Sequence, residues 1–167
     1  MIDKQARGKL AMPLPGMGSE MAMTTNICSS IICLSHLVER YANARLPSFG
    51  LPPTLTIPRV RLLLAVATGK AEDISTRMSD IALDLGVTSR TITTMVDALE
   101  REGLIERVPD ANDRRAITLV LTDEGEASIP RIKTALDEIG AAVMSPLTDT
   151  DHEALHGLLM QLLERDS

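Results

Sequence analysis

A chain of 167 residues is about one domain's worth, and with 44% hydrophobic and 24% charged residues its composition is that of a globular protein. No apolar run approaches the roughly 20 residues of a membrane span, and no apolar core of about 7 to 15 residues follows Lys4, Arg7 and Lys9, so neither a membrane helix nor a secretory signal is expected and the cytoplasm is the expected compartment. The net charge of −6, from 23 acidic against 17 basic residues, excludes a uniformly basic surface.

Pro13, Pro15, Gly16 and Gly18 make residues 1–20 read as a flexible arm. From Thr25 onward Ile27, Ile31, Leu34, Val38 and Tyr41 recur in four- and three-residue steps, predicting a long amphipathic helix that ends near Pro47 and Gly50. After Leu51-Pro52-Pro53, Thr56 is placed to cap a helix with Pro58 in its first turn and Val60, Leu63, Leu64 and Val66 on its buried side.

In the segment Ile81 to Ile92 a short helix stops at Gly86, a residue free to take the left-handed conformation that ends helices. Ala82 is small where two steeply crossed helices approach, Val87 is placed to fill the corner, and Thr88 or Ser89 to cap the next helix. On that helix Ile92, Met95, Val96 and Leu99 keep the spacing of a buried stripe, while Arg90, Thr94, Asp97 and Arg101 share the outward face, flanked by Thr91 and Thr93. Hydroxyls and arginine in its N-terminal half suit base edges and phosphates in a major groove. Asp97 precedes Arg101 by one helical turn, so an intrahelical pair between them is expected.

Gly103 ends this recognition helix. Leu104 to Arg107 and Ala116 to Leu121 read as two strands, with Ile117, Leu119 and Leu121 pointing inward. Between them the run Pro109 to Arg115 favours a turn and presents Arg114 and Arg115 on a projecting loop able to enter a minor groove. Thr122 opens a further helix in which Ile129, Ile132, Leu136, Ile139 and Val143 keep the rhythm across Pro130. Thr148 and Asp151 form a capping box before Leu155, Leu158, Leu159, Leu162 and Leu163. The expected fold is therefore mostly α with a small β-hairpin wing, a winged helix-turn-helix lobe over residues 51–121. Residues 21–50 and 122–167 supply the flanking helices.

Leu85-Gly86-Val87-Thr88, the run Leu99 to Arg107, Asp113-Arg114-Arg115-Ala116 and the run Leu119 to Gly125 together resemble the MarR family of bacterial transcriptional regulators, over roughly residues 27 to 165. The resemblance implies a dimer that represses or activates transcription and often leaves DNA when a small aromatic acid or phenolic effector binds. It places Thr91, Thr93 and Thr94 in the groove-facing segment and Asp113, Arg114 and Arg115 in the wing, with Asp113 and Arg115 as its salt bridge. Thr94 stands where the family often has arginine, and Arg90 where a small residue is usual. The full DNA-contacting set is Thr76, Thr88, Ser89, Arg90, Thr91, Thr93, Thr94, Arg101, Asn112, Arg114 and Arg115. For an effector between the flanking helices and the DNA lobe, the nearby polar candidates are His36, Arg40, Tyr41 and Arg61.

The terminal helices carry more apolar surface than a compact winged helix can cover, and each buried side chain contributes about 1.5 to 3 kcal/mol, so a homodimer is expected. Twofold symmetry sets recognition helices about 34 Å apart on a palindromic duplex, and a monomeric helical subdomain is the alternative. The acidic balance extends to the reader itself, where residues 86–117 hold arginines 90, 101, 107, 114 and 115 against acids 97, 100, 102, 106, 110 and 113. Moderate, salt-sensitive DNA affinity follows.

His152-Glu153-Ala154-Leu155-His156 matches a zinc-protease pattern, yet catalytic zinc needs a third protein ligand, and only Glu164 and Asp166 follow. The expectation is no metal and no cofactor, the one alternative being a regulatory site completed by His36. Cys28 and Cys33 read as packing thiols. A redox-sensing regulator acting through Cys28 and a winged-helix module without small-molecule control are the competing functions. No Ser-His-Asp ordering, phosphate loop or catalytic carboxylate pair can be placed, so an enzyme is not expected.

Overall fold

A computed structural model describes residues 19–110, 113 and 115–164, with side chains from Asn26 onward. Its elements are α1 (Ser19–Arg45), a 3₁₀ turn (Leu46–Phe49), α2 (Ile57–Glu72), α3 (Met78–Asp84), α4 (Ser89–Arg101), β1 (Ile105–Pro109), β2 (Ile117–Leu121), α5 (Asp123–Met144) and α6 (Asp149–Leu163). Among the described residues no helix is long and apolar enough to cross a membrane. The arm expected before α1, together with Asn112 and Arg114, lies outside the described residues, apart from the first residues of α1.

Packing divides the chain after Tyr41 into two units. In the first, α1 begins at Ser19 rather than Thr25. Its stripe of Ile27, Ile31 and Leu34 is exposed, and Val38 and Tyr41 are half-buried. An apolar stripe of this kind has its partner still to find.

The second unit is organised on α2, which touches α3, α4, β2 and α5. Thr56 is its N-cap by position, although its side chain makes no capping hydrogen bond, and Pro58 sits in the first turn. A helix packed on several sides needs more than one apolar stripe. Leu62 is accordingly buried with Val60, Leu63 and Val66, while Leu64, expected inside, is only half-buried.

The β-hairpin is antiparallel, with Ile105 opposite Leu121 and Pro109 opposite Ile117. Only Leu119 is fully buried on β2, and the expected inward partners Ile117 and Leu121 are half-buried. A two-stranded ribbon covers its own face poorly. The segment before α3 completes it, because the Leu119 N–H donates to the Thr76 carbonyl at 2.9 Å and Arg77 bridges to Thr118.

At the start of α5 the Thr122 hydroxyl accepts from the Gly125 N–H at 3.0 Å and donates to the Gly103 carbonyl, seating the helix on the junction between α4 and β1. The buried side of α5 is Gly125, Ser128, Ile132, Ala135 and Ile139, while Ile129, Leu136 and Val143 are half-buried. Small residues replace the expected large ones near the N-terminus because α5 presses on backbone there. Pro130 lies on the exposed side inside the helix.

The capping box of α6 is present. The Thr148 N–H and hydroxyl donate to Asp151 Oδ2 at 3.1 and 2.7 Å, and the Asp151 N–H donates back to Thr148 Oγ1 at 3.3 Å. These bonds hold the Asp151 carboxyl below its ordinary value of 3.8. A lowered folded value means that the stabilisation is complete above the unfolded pKa and is lost as pH falls through the folded one. The helical far-UV signal contributed by α6 is therefore expected to hold down to the ordinary carboxylate range and fray below it. An Asp151→Ala chain should differ from the parent at neutral pH and converge with it in acid. A difference that grows on acidification would contradict the assignment.

Candidate nucleic-acid interface

Gly86 adopts φ +64° and Gly103 φ +67°, so both turns use the left-handed freedom that makes glycine the natural stop. The Val87 N–H donates to the Ala82 carbonyl at 2.9 Å, closing the corner between α3 and α4 over the buried Ile81 and Ala82. Thr88 is the N-cap of α4: its hydroxyl accepts from the Thr91 N–H at 3.2 Å and meets the Thr91 hydroxyl at 2.9 Å. Ile92, Met95, Val96, Ala98 and Leu99 anchor one side of α4 in the core. Ser89, Arg90, Thr91, Thr93, Thr94, Asp97 and Arg101 are all exposed on the other.

Two of the exposed hydroxyls are already committed as donors. Thr93 donates to the Ser89 carbonyl at 2.8 Å and Thr94 to the Arg90 carbonyl at 3.1 Å. Their oxygens then face outward with lone pairs, able to accept from a base amino group. The flank thus offers acceptors from threonines beside a cation at Arg90.

Asp97 does not take Arg101 as its ion-pair partner. Arg107 reaches across from β1 and places one guanidinium nitrogen on Asp97 and the other on Glu100. Arg101 instead donates through Nε to the Asp97 main-chain carbonyl at 3.2 Å. A strand packed beside the helix brings a rigid fork to two carboxylates one turn apart, a geometry that outcompetes a flexible pair along the helix.

The wing loop is organised by Asp110. Its carboxylate accepts from Arg77 Nε at 2.9 Å and Nη2 at 3.0 Å, from the Thr118 hydroxyl at 3.1 Å and from the Asp113 N–H at 2.9 Å. The hydrogen bond and charge of Asp110 raise the Arg77 guanidinium above its usual value. Between Asp113 and Arg115 the contact is from the Arg115 main-chain N–H to Asp113 Oδ1 at 2.9 Å. Arg77, absent from the sequence-based site, is thus the residue that ties the wing to the start of α3. The only early signal was that Asp110 is a turn-forming residue. Thr76 is half-buried, with its methyl group beside Gly69.

Ser75 and Ser79 both donate to Asp80, at 2.6 and 3.1 Å, and hold its carboxyl below the ordinary range. A groove of about 260 Å³ between α3 and the wing is lined by Met78, Ser79, Asp113, Arg115, Ala116 and Ile117. A second, of about 320 Å³, is lined by Ala67, Lys70, Ala71, Leu121, Glu126 and Ile129, with Lys70 and Glu126 paired across it.

Of the polar residues named for an effector, His36 and Arg40 are exposed and Tyr41 half-buried in the first unit, and Arg61 is exposed on α2. In the zinc-like pattern, His152 Nε2 lies 3.0 Å from the Met144 carbonyl and His156 is exposed. Among the described residues no three His, Cys, Asp or Glu side chains gather into a metal site. Cys28 is exposed and Cys33 half-buried, both as free thiols.

Residues 55–117 match the family model described as the MarR family. The chain is 29% identical over 150 residues to the HTH-type transcriptional regulator PecS of Dickeya dadantii, covering 75% of this chain and 90% of that protein. It is 27% identical over 143 residues to the transcriptional repressor MprA of Escherichia coli, covering 86% and 76%. A crystal structure of a mutant E. coli MarR complexed with operator DNA superposes with a TM-score of 0.72 at 20% identity, covering 87% of this chain and 99% of that one. The stretch that matches the MarR family model carries the glycine-ended α3, the exposed flank of α4 and strand β1, and the chain shares the winged helix-turn-helix fold of the MarR structure.

Proposed function

We propose that this chain is a sequence-specific DNA-binding repressor of transcription that acts as a homodimer on a palindromic operator. The observation that carries the reading is the outward flank of α4. It is polar, exposed and capped at Thr88, on a helix whose other side is locked into the core. Support also comes from the relatives, which are named regulators and repressors, and from the MarR structure determined with operator DNA.

In this reading Arg90 and Thr94 meet base edges, while Thr88, Ser89, Thr91, Thr93 and Arg101 position α4 against the groove. Asn112, Arg114 and Arg115 belong to the wing, which reaches the neighbouring minor groove, with Thr76 at its base. Repression then follows from occupancy of a promoter. Release by a small aromatic or phenolic effector completes the proposal.

Footprinting against upstream DNA of the same genome identifies the operator, and anisotropy titrations then test the residues. Arg90→Ala or Thr94→Ala is expected to relax base preference by about 1 to 3 kcal/mol. Arg115→Ala is expected to weaken all sequences alike. Unchanged discrimination in both α4 variants would remove that helix from the reading role.

A further inference from the structure

We propose that Arg107 is a positioning residue for DNA reading: its guanidinium pairs with the two carboxylates of α4 that would otherwise face the phosphates and offsets one of their two charges. The proposal rests on the DNA-binding reading above and concerns a residue outside the contact set.

Asp97 and Glu100 lie three positions apart on α4, close enough for like charges to repel one another. Their side chains are 53% and 40% exposed, whereas that of Arg107 is 25% exposed, so the cation is the better-held member of the cluster. Asp97 shares its face with Arg90 and Thr94. At a screening length of about 8 Å, a bare carboxylate there acts on any phosphate that α4 approaches.

The partner comes from β1, and that choice has a second effect. Arg101, the nearer cation in sequence, keeps its charge: among the described residues neither Arg90 nor Arg101 forms an ion pair with a carboxylate. The excess of acids over arginines between residues 86 and 117 therefore overstates the repulsion. Within that count Arg107 is shared between two of the acids, and Arg77, from outside the segment, adds the cation that pairs with Asp110. With the half-buried Arg107 of the wing strand beside them, the charges of α4 itself, Arg90 and Arg101 against Asp97 and Glu100, pass from balanced to one net positive.

The test measures binding of the full chain to a duplex promoter fragment and to an unrelated duplex across a salt series. The variants are Arg107→Ala, Asp97→Asn with Glu100→Gln, and the three together. Arg107→Ala is expected to lower affinity for both duplexes about tenfold at low salt, with the loss shrinking as salt rises. The paired acid-to-amide variant leaves Arg107 intact and is expected to bind as tightly as the parent or more tightly. The triple variant is expected to recover to within about threefold of the parent, because the charges needing compensation are gone.

An unaltered Arg107→Ala, an amide pair that binds more weakly than the parent, or a triple variant as weak as Arg107→Ala would each overturn the role. A parent that binds no duplex would instead overturn the DNA-binding reading, and this role with it. A parent that binds while the variants do not differ from it overturns Arg107 alone.

Discussion

Gly125→Ala is expected to destabilise the chain by about 3 kcal/mol, the upper part of the range for overpacking a filled site. A Cβ at this position would stand 2.0 Å from the Leu104 carbonyl oxygen and 3.0 Å from its carbon. Neither atom is the tip of a flexible side chain, so α5 must lift from the turn that joins α4 to β1. That lift strains the Thr122 cap and the Thr122 N–H bond to the Leu104 carbonyl at 3.2 Å. Gly140, on the same helix, supplies the control because a Cβ there meets nothing within 4 Å. Gly140→Ala is expected to stabilise by up to about 1 kcal/mol, the helix-propensity difference alone. Denaturant midpoints of the two variants should move in opposite directions. A neutral Gly125→Ala would mean that α5 does not press on the wing base.

The largest functional loss is expected from Leu159→Glu combined with Leu162→Glu. Helix α6 buries none of its residues within the chain, and Leu158, Leu162 and Leu163 are 61%, 54% and 66% exposed. A run of leucines left open on one helix exceeds the scattered apolar residues of an ordinary surface. In the proposed homodimer this face is covered, each leucine contributing about 1.5 to 3 kcal/mol, and two buried carboxylates would cost more than that gain. Sedimentation should show the doubly charged chain as a monomer. Its affinity for a palindromic site should fall by about 100-fold or more, since each half-site must then be bound separately. The winged-helix lobe itself should stay folded, because the core of α2, α4 and α5 is untouched. A doubly charged chain that still sediments as a dimer would exclude α6 from the interface.

Much of the winged-helix lobe could be read from neighbouring residues. The stops at Gly86 and Gly103, the caps at Thr88, Thr122 and Thr148, and the stripe Ile92, Met95, Val96 and Leu99 each depend on groups within a few positions of one another. Helix ends and helix faces are short-range physics: a left-handed residue, a hydroxyl reaching an orphan N–H, a period of about 3.6 residues. Where several elements meet, the reading went astray. Leu62 is as buried as Leu63 because α2 is enclosed on more than one side, and periodicity counts only one. Ile117 and Leu121 alternate correctly but sit at the rim of a ribbon too small to bury them.

Sequence by itself therefore determined the order of elements, the glycine-ended turn, the polar flank of α4 and the caps, since each is decided by bonds that a local stretch of chain makes with itself. Tertiary structure alone decided who partners whom across the chain. Arg77 meets Asp110 from 33 residues away, Arg107 displaces Arg101 from the Asp97 carboxylate, and Gly125 must be bare because a distant carbonyl touches it. Such choices depend on which charges and backbones the folded core brings within a few ångströms. That proximity comes from packing the whole lobe, and no local spacing encodes it.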